Sequence, residues 1–262
     1  MLQTIGDILN WAAAGLLAPL LILPLAIYLA GAREGRFAGA LSWAGLYVGL
    51  LGSGVLFIIL VPRLDGVDAP RFLVSTAPFF LGLMALTIAL GGVSRLTTML
   101  AVVFDIFVRM TGRAVMWLLL LMALVQFAVV LLRYVFGINY IFMQESITYM
   151  HGAVFLLAAG YALLTNDHVR VDIFYRDASE KHKALIDLLG AYLFLFPVCL
   201  LILWTASPYV ARSWLVLEGS PDASGIQGVF ILKSLVPAFA VLLAMAGFSR
   251  AHDAVRTLKG QG

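Results

Sequence analysis

Residues 166–176 read NDHVRVDIFYR, with five ionisable side chains besides Tyr175, and separate two apolar runs at about 142–164 and 184–206. A transmembrane helix needs about 20 mainly apolar residues, so each run is long enough to cross a bilayer and the charged stretch between them is a loop. Five further runs qualify, at about 11–31, 40–61, 72–92, 114–136 and 229–249. The sequence therefore predicts an all-α integral membrane protein of about seven transmembrane helices. Composition agrees: 63% of the 262 residues are hydrophobic, 12% are charged and the mean hydropathy is +1.02, whereas a soluble domain carries roughly 25% charged residues. The only cysteine, Cys199, lies inside an apolar run, so neither a disulfide framework nor a thiol-rich metal site is indicated.

Charge placement orients the spans. Assigned to alternate sides, twelve Lys and Arg fall on one side (Arg33, Arg36, Arg95, Arg109, Arg113, Arg170, Arg176, Lys181, Lys183, Arg250, Arg256, Lys259) and five on the other (Arg63, Arg71, Arg133, Arg212, Lys233). The richer side is cytoplasmic by the positive-inside rule, which puts the N-terminus outside, the C-terminus inside and NDHVRVDIFYR in the cytoplasm. The net charge of +3 then reflects topology and implies no nucleic-acid partner.

Between the third and fourth runs, SRLTTMLAVVFDIFVRMTGR (94–113) sets Arg95, Thr98, Asp105, Arg109 and Arg113 on one helical face and Leu96, Met99, Leu100, Val103, Phe104 and Phe107 on the other. Asp105 and Arg109 have the i,i+4 spacing of a helical ion pair. The pattern predicts a cytoplasmic interfacial helix, dividing residues 1–93, a three-helix membrane extension, from residues 114–262, a four-helix membrane domain.

Several polar residues stand out against this apolar background. Arg133 closes one span and Glu145 opens the next on the same outer side, which predicts an ion pair across a short hairpin, since an isolated charge there is costly. From Glu145, a stripe runs through Tyr149, Gly152, Leu156, Ala159 and Leu163, whose small members suit close helix packing. His151 is rotated off that stripe and is expected to be a packed, satisfied side chain. In the loop, His168, Arg170 and Asp172 alternate with Val169, Val171 and Ile173, a pattern that in extended chain separates polar from aliphatic faces and lays the segment along the membrane surface among lipid headgroups. Ser179 is placed to cap a helix from Glu180, with Lys183 and Asp187 spaced to pair. Haem or metal ligation across spans is not indicated, because His168, His182 and His252 fall in cytoplasmic segments and only His151 lies within a span. The sequence also contains no catalytic motif such as HExxH, GxSxG or a Walker loop, so no cofactor and no enzymatic role are expected.

Arg133-Tyr134-Val135-Phe136, Gln144-Glu145, Ala159 to Leu163 (AGYAL), His168-Val169-Arg170-Val171-Asp172, Glu218-Gly219-Ser220-Pro221, Gly225 and Lys233-Ser234 before Pro237 together resemble the small membrane subunit, the DctQ-type permease, of tripartite ATP-independent periplasmic (TRAP) transporters. The likeness covers about residues 94–250. It implies four spans with both ends cytoplasmic, as the charge count also places them; residues 1–93 depart from it. It further implies a non-catalytic scaffold in the bacterial inner membrane. The expected partners are a large DctM-type permease subunit, which holds the elevator domain and the sodium and substrate sites, and a periplasmic substrate-binding protein that delivers a carboxylate-type substrate. Arg133, Glu145, Tyr149, Gly152, His168, Arg170, Asp172 and Lys233 become candidate interface or structural residues. The alternative is a membrane anchor subunit of a redox or enzyme complex, and a third reading is a self-sufficient transporter or channel.

Overall fold

The computed structural model describes residues 18–30, 77–167 and 175–260, and among these there is no β-strand. The described elements are α1 (Ala18–Ala30), α2 (Ala77–Leu90), α3 (Val93–Tyr134), α4 (Ile141–Thr165), α5 (Glu180–Leu215) and α6 (Val229–Leu258). Four of them, α3 to α6, are long and apolar enough to cross a membrane. They carry the last four of the seven expected spans. Of the other three, the run at 40–61 lies outside the described residues, whereas α1 and α2 cover parts of 11–31 and 72–92 with 13 and 14 residues.

The expected interfacial helix is not a separate element. Residues 94–113 continue into the following span as a single 42-residue helix, about 63 Å long at 1.5 Å per residue, against a hydrocarbon core of about 30 Å. No proline interrupts Val93–Tyr134, so helix propagation runs through the change in composition. The expected apolar face is also divided. Leu96 is buried and Leu100 and Phe104 turn inward, whereas Met99, Val103 and Phe107 are about half exposed. The buried stripe is set by what α3 packs against: Phe104 meets Phe248 of α6 edge-on at 5.2 Å, and Ser249 of α6 donates to the Ala101 carbonyl at 3.2 Å.

Helix α6 is the hub, touching α1, α3, α4 and α5. Its buried surface is built from small residues, including Ala240, Ala244, Ala246, Gly247, Ala251 and Ala254, which let helix backbones approach closely where no hydrophobic effect draws them together. Backbone meets backbone at Gly160 of α4, where a Cβ would stand 2.8 Å from the Leu242 carbonyl oxygen. Gly152 of α4 also faces α6, at Leu232. Pro237 is buried within an unbroken α6, in keeping with proline's tolerance inside membrane helices.

Helix α5 contains a π-helical turn at Ala191–Leu195. Tyr192 on this turn reaches α1, a helix that contains Pro24, and its hydroxyl donates to the Leu21 carbonyl at 2.6 Å and accepts from the Leu25 amide at 3.0 Å. Leu20, Leu21 and Leu23 join the same core as Leu188, Phe196, Ala244 and Phe248.

Candidate functional site

Ionic and polar groups gather at the two ends of the four long helices. At one end, the loop 216–228 between α5 and α6 is tied down from two sides. Glu145, on the second turn of α4, accepts from the Ser220 hydroxyl with one carboxylate oxygen and from the Ile226 amide, at 2.6 Å, with the other. The loop closes on itself through Ser220 N to the Ile226 carbonyl at 3.2 Å and Gly225 N to the Asp222 carbonyl at 3.0 Å. Gly225 packs against this contact: a Cβ there would collide with the Ser220 hydroxyl oxygen and lie 2.7 Å from a Glu145 carboxylate oxygen, so both side chains would have to shift. The tip, Pro221 to Ser224, remains exposed.

Lys233, on the first turns of α6, pairs with Glu218 of the same loop and lies 4.3 Å from the centroid of the Tyr209 ring. The hydrogen bond from the Lys233 ammonium is the main cause that holds the Glu218 carboxyl below the usual carboxylate range. Trp214 seals this corner, donating from its indole to Ser234 at 2.8 Å and meeting Phe230 edge-on at 4.8 Å. The Tyr149 hydroxyl is buried without a completed hydrogen bond, its ring against Gly228.

The expected Arg133–Glu145 ion pair is not formed. Arg133 is exposed at the end of α3, its guanidinium 5.9 Å from the Tyr134 ring centroid. A backbone amide and a short serine hydroxyl of the loop satisfy Glu145 without ordering a long, rotamer-rich arginine. His151 is also not packed: it is exposed and stacks on Phe155, at 6.5 Å between centroids. It lies on the face of α4 turned away from α6.

At the opposite end, Arg250 of α6 reaches Asp187 of α5 at 3.3 Å and the Asn166 side chain at 3.5 Å, while the Tyr175 hydroxyl donates to Asp187 at 3.0 Å. Asn166 ends α4 in the left-handed conformation, which short polar side chains tolerate. Ser179 caps α5 by accepting from the His182 amide, as its position predicts. Lys183 turns to Glu180 at 3.1 Å rather than to Asp187, whose carboxylate is already engaged. The Asp105–Arg109 pair forms at 2.7 Å. His168, Arg170 and Asp172 lie outside the described residues.

Glu218, Ser220, Asp187 and Arg250 are thus the groups whose role sequence reasoning missed. Their partners are 12 to 84 residues away, and no local spacing encodes them.

Helices α4, α5 and α6, tied by short polar contacts at both ends, form with α3 one membrane domain packed through small residues. The family model described as tripartite ATP-independent periplasmic transporters, DctQ component, matches residues 122–257. The chain belongs to the DctQ family. The match begins within α3 and ends one residue before the end of α6, so the DctQ region contains Glu145, the 216–228 loop, Lys233, Tyr192 and Arg250 but neither α1 nor α2. DctQ proteins are the small subunits of TRAP transporters and work with a DctM subunit and a periplasmic binding protein. No curated protein and no solved structure matches the chain. With the family and the four spanning helices, this is a multi-pass membrane protein and a transporter component.

Proposed function

We propose that this DctQ chain is the stationary, non-catalytic scaffold subunit of a sodium-coupled TRAP transporter in the bacterial inner membrane. It packs against a DctM-type large subunit and supports uptake of a carboxylate-type substrate handed over by a periplasmic binding protein. The observation that carries the scaffold reading is the distribution of polar links: Glu145, Glu218 and Lys233 bind one end of α4, α5 and α6 together, and Asp187 and Arg250 bind the other. A helix set cross-tied at both ends moves as one body. In the proposed orientation the 216–228 loop faces the periplasm, where it is available to the binding protein, and His168, Arg170 and Asp172 face the cytoplasm, where they meet the large subunit or lipid headgroups. Arg133, Tyr149 and Gly152 take structural or interface roles on the outer half of α3 and α4.

Reconstitution tests the proposal. Liposomes holding the large subunit and this chain, with binding protein and an inward sodium gradient, are expected to accumulate substrate, while liposomes holding this chain alone are expected to accumulate none. Uptake by the chain alone would replace the scaffold reading with that of a self-sufficient transporter.

A further inference from the structure

Beside the Glu218–Lys233 pair, an open groove of about 590 Å³ runs between the last turns of α5 and the start of α6, lined by Tyr209, Arg212, Ser213, Val216, Glu218 and Lys233 among others. Its two cations differ in what they already hold. Lys233 is neutralised by Glu218 and covered by the Tyr209 ring. Arg212 is exposed and has no ion-pair or hydrogen-bond partner among the described residues. Next to it, the Ser213 hydroxyl is buried, with the residue only 2% exposed, and although it lies near Glu218 it completes no hydrogen bond. The other walls are apolar, and they continue outward into Leu215, Val216 and Leu217, which are 50%, 68% and 63% exposed. Tyr209 and Trp214, also exposed, mark this as the depth of the headgroups, where aromatic rings concentrate.

We propose that the groove is a phospholipid site, with the lipid phosphodiester on the Arg212 guanidinium and the glycerol end of the acyl chains along Tyr209 and Val216. Guanidinium matches phosphate oxygens through paired N–H donors. One uncompensated cation suits the single negative charge of a phosphodiester; a free phosphate or a dicarboxylate, with about two, would leave charge unbalanced. Apolar walls that reach the lipid-facing surface suit an amphiphile and offer a soluble anion nothing. The site depends on α5 and α6 lying in a membrane and not on the transporter reading.

The test uses the full-length chain in detergent, stripped of lipid, with dioctanoyl phosphatidylglycerol, inorganic phosphate and dioctanoylglycerol as three separate probes. Melting temperature and native mass spectrometry read binding. The phosphatidylglycerol probe is expected to raise the melting temperature and to remain bound on ionisation. Arg212→Gln is expected to weaken its binding about tenfold or more, the effect of losing a charged hydrogen-bond partner; Arg212→Lys should keep part of it, and Arg95→Gln should leave it unchanged. Equal stabilisation by inorganic phosphate would make this a soluble-anion site and overturn the lipid assignment. Equal stabilisation by dioctanoylglycerol, or unaltered lipid binding in a folded Arg212→Gln protein, would remove the guanidinium from the site. Uptake is not measured, so failure here is separate from failure of the scaffold reading.

Discussion

The hydroxyl of Tyr192 sits between the Leu21 carbonyl and the Leu25 amide, donating to the first at 2.6 Å and accepting from the second at 3.0 Å. In an unbroken helix these two groups would bond each other. Pro24 lies one residue before Leu25 and has no N–H to give the preceding turn, so the ladder is one donor short beside this site. A residue of the DctQ region thereby completes the backbone of a helix outside it. Tyr192→Phe removes the bridging atom and leaves a donor and an acceptor incompletely satisfied, which costs about 1–3 kcal/mol. The variant is expected to melt lower than the parent and to lose amide-exchange protection at Leu25 first. Unchanged protection at Leu25 would mean that α1 is held by apolar packing alone.

Glu145 and Arg133 are expected to behave independently. Glu145→Ala takes away the acceptor for both Ser220 and Ile226, and the freed loop should become a protease-sensitive site with a stability loss of about 1–3 kcal/mol. Arg133→Ala, at an exposed position, should stay within about 0.5 kcal/mol. The double variant should equal the sum of the singles, as for residues that share no partner, and the charge-swapped Arg133→Glu, Glu145→Arg should not recover. Recovery on the swap would restore the ion pair.

The Glu218–Lys233 contact gives the loop a pH dependence of known sign. The Glu218 carboxyl is held below its ordinary range in the folded protein, chiefly by its hydrogen bond to Lys233. A group with a depressed folded pKa contributes stability above its unfolded value, about 4.3, and that contribution is lost as pH falls through the folded value. Parent and Glu218→Gln proteins should therefore differ in melting temperature between pH 6 and 8, and the difference should shrink as the pH is taken to about 3. A difference that instead grows in acid would invert the sign and remove Lys233 as the cause.

The parts of this structure legible in the sequence are those encoded over one or two helical turns. Hydropathy places α3 to α6, the i,i+4 spacing places Asp105 with Arg109, and Ser179 announces the start of α5. Where two encodings compete, the local reading goes wrong. Residues 94–113 carry an amphipathic pattern suited to an interface, yet nothing between Val93 and Tyr134 stops a helix, and backbone continuity prevails. Local spacing matches Glu145 with the nearest opposite charge, whereas its donors are 75 and 81 residues away on a loop whose path depends on how α5 and α6 pack. Tyr192 gives no signal at all, since a tyrosine in an apolar span looks the same whether it fills space or completes another helix's hydrogen bond.

The seam between α4 and α6 tests how tightly the small-residue hub is built. At Gly160 a methyl group would lie 2.8 Å from the Leu242 carbonyl oxygen and 3.0 Å from its carbon, both main-chain atoms that cannot rotate aside. Two helices must separate to admit it, and overpacking of this kind costs about 1–3 kcal/mol. At Gly190, in α5, a methyl group would meet nothing within 4 Å, and alanine there should gain the roughly 0.5–1 kcal/mol that separates the two residues in a helix. Gly160→Ala is therefore expected to lower the melting temperature and Gly190→Ala to raise or preserve it. The contrast controls for general effects of replacing glycine in a membrane helix, because only the first substitution meets a neighbouring backbone. Equal shifts for the two would show that α4 and α6 do not approach at Gly160 as closely as the 2.8 Å contact requires.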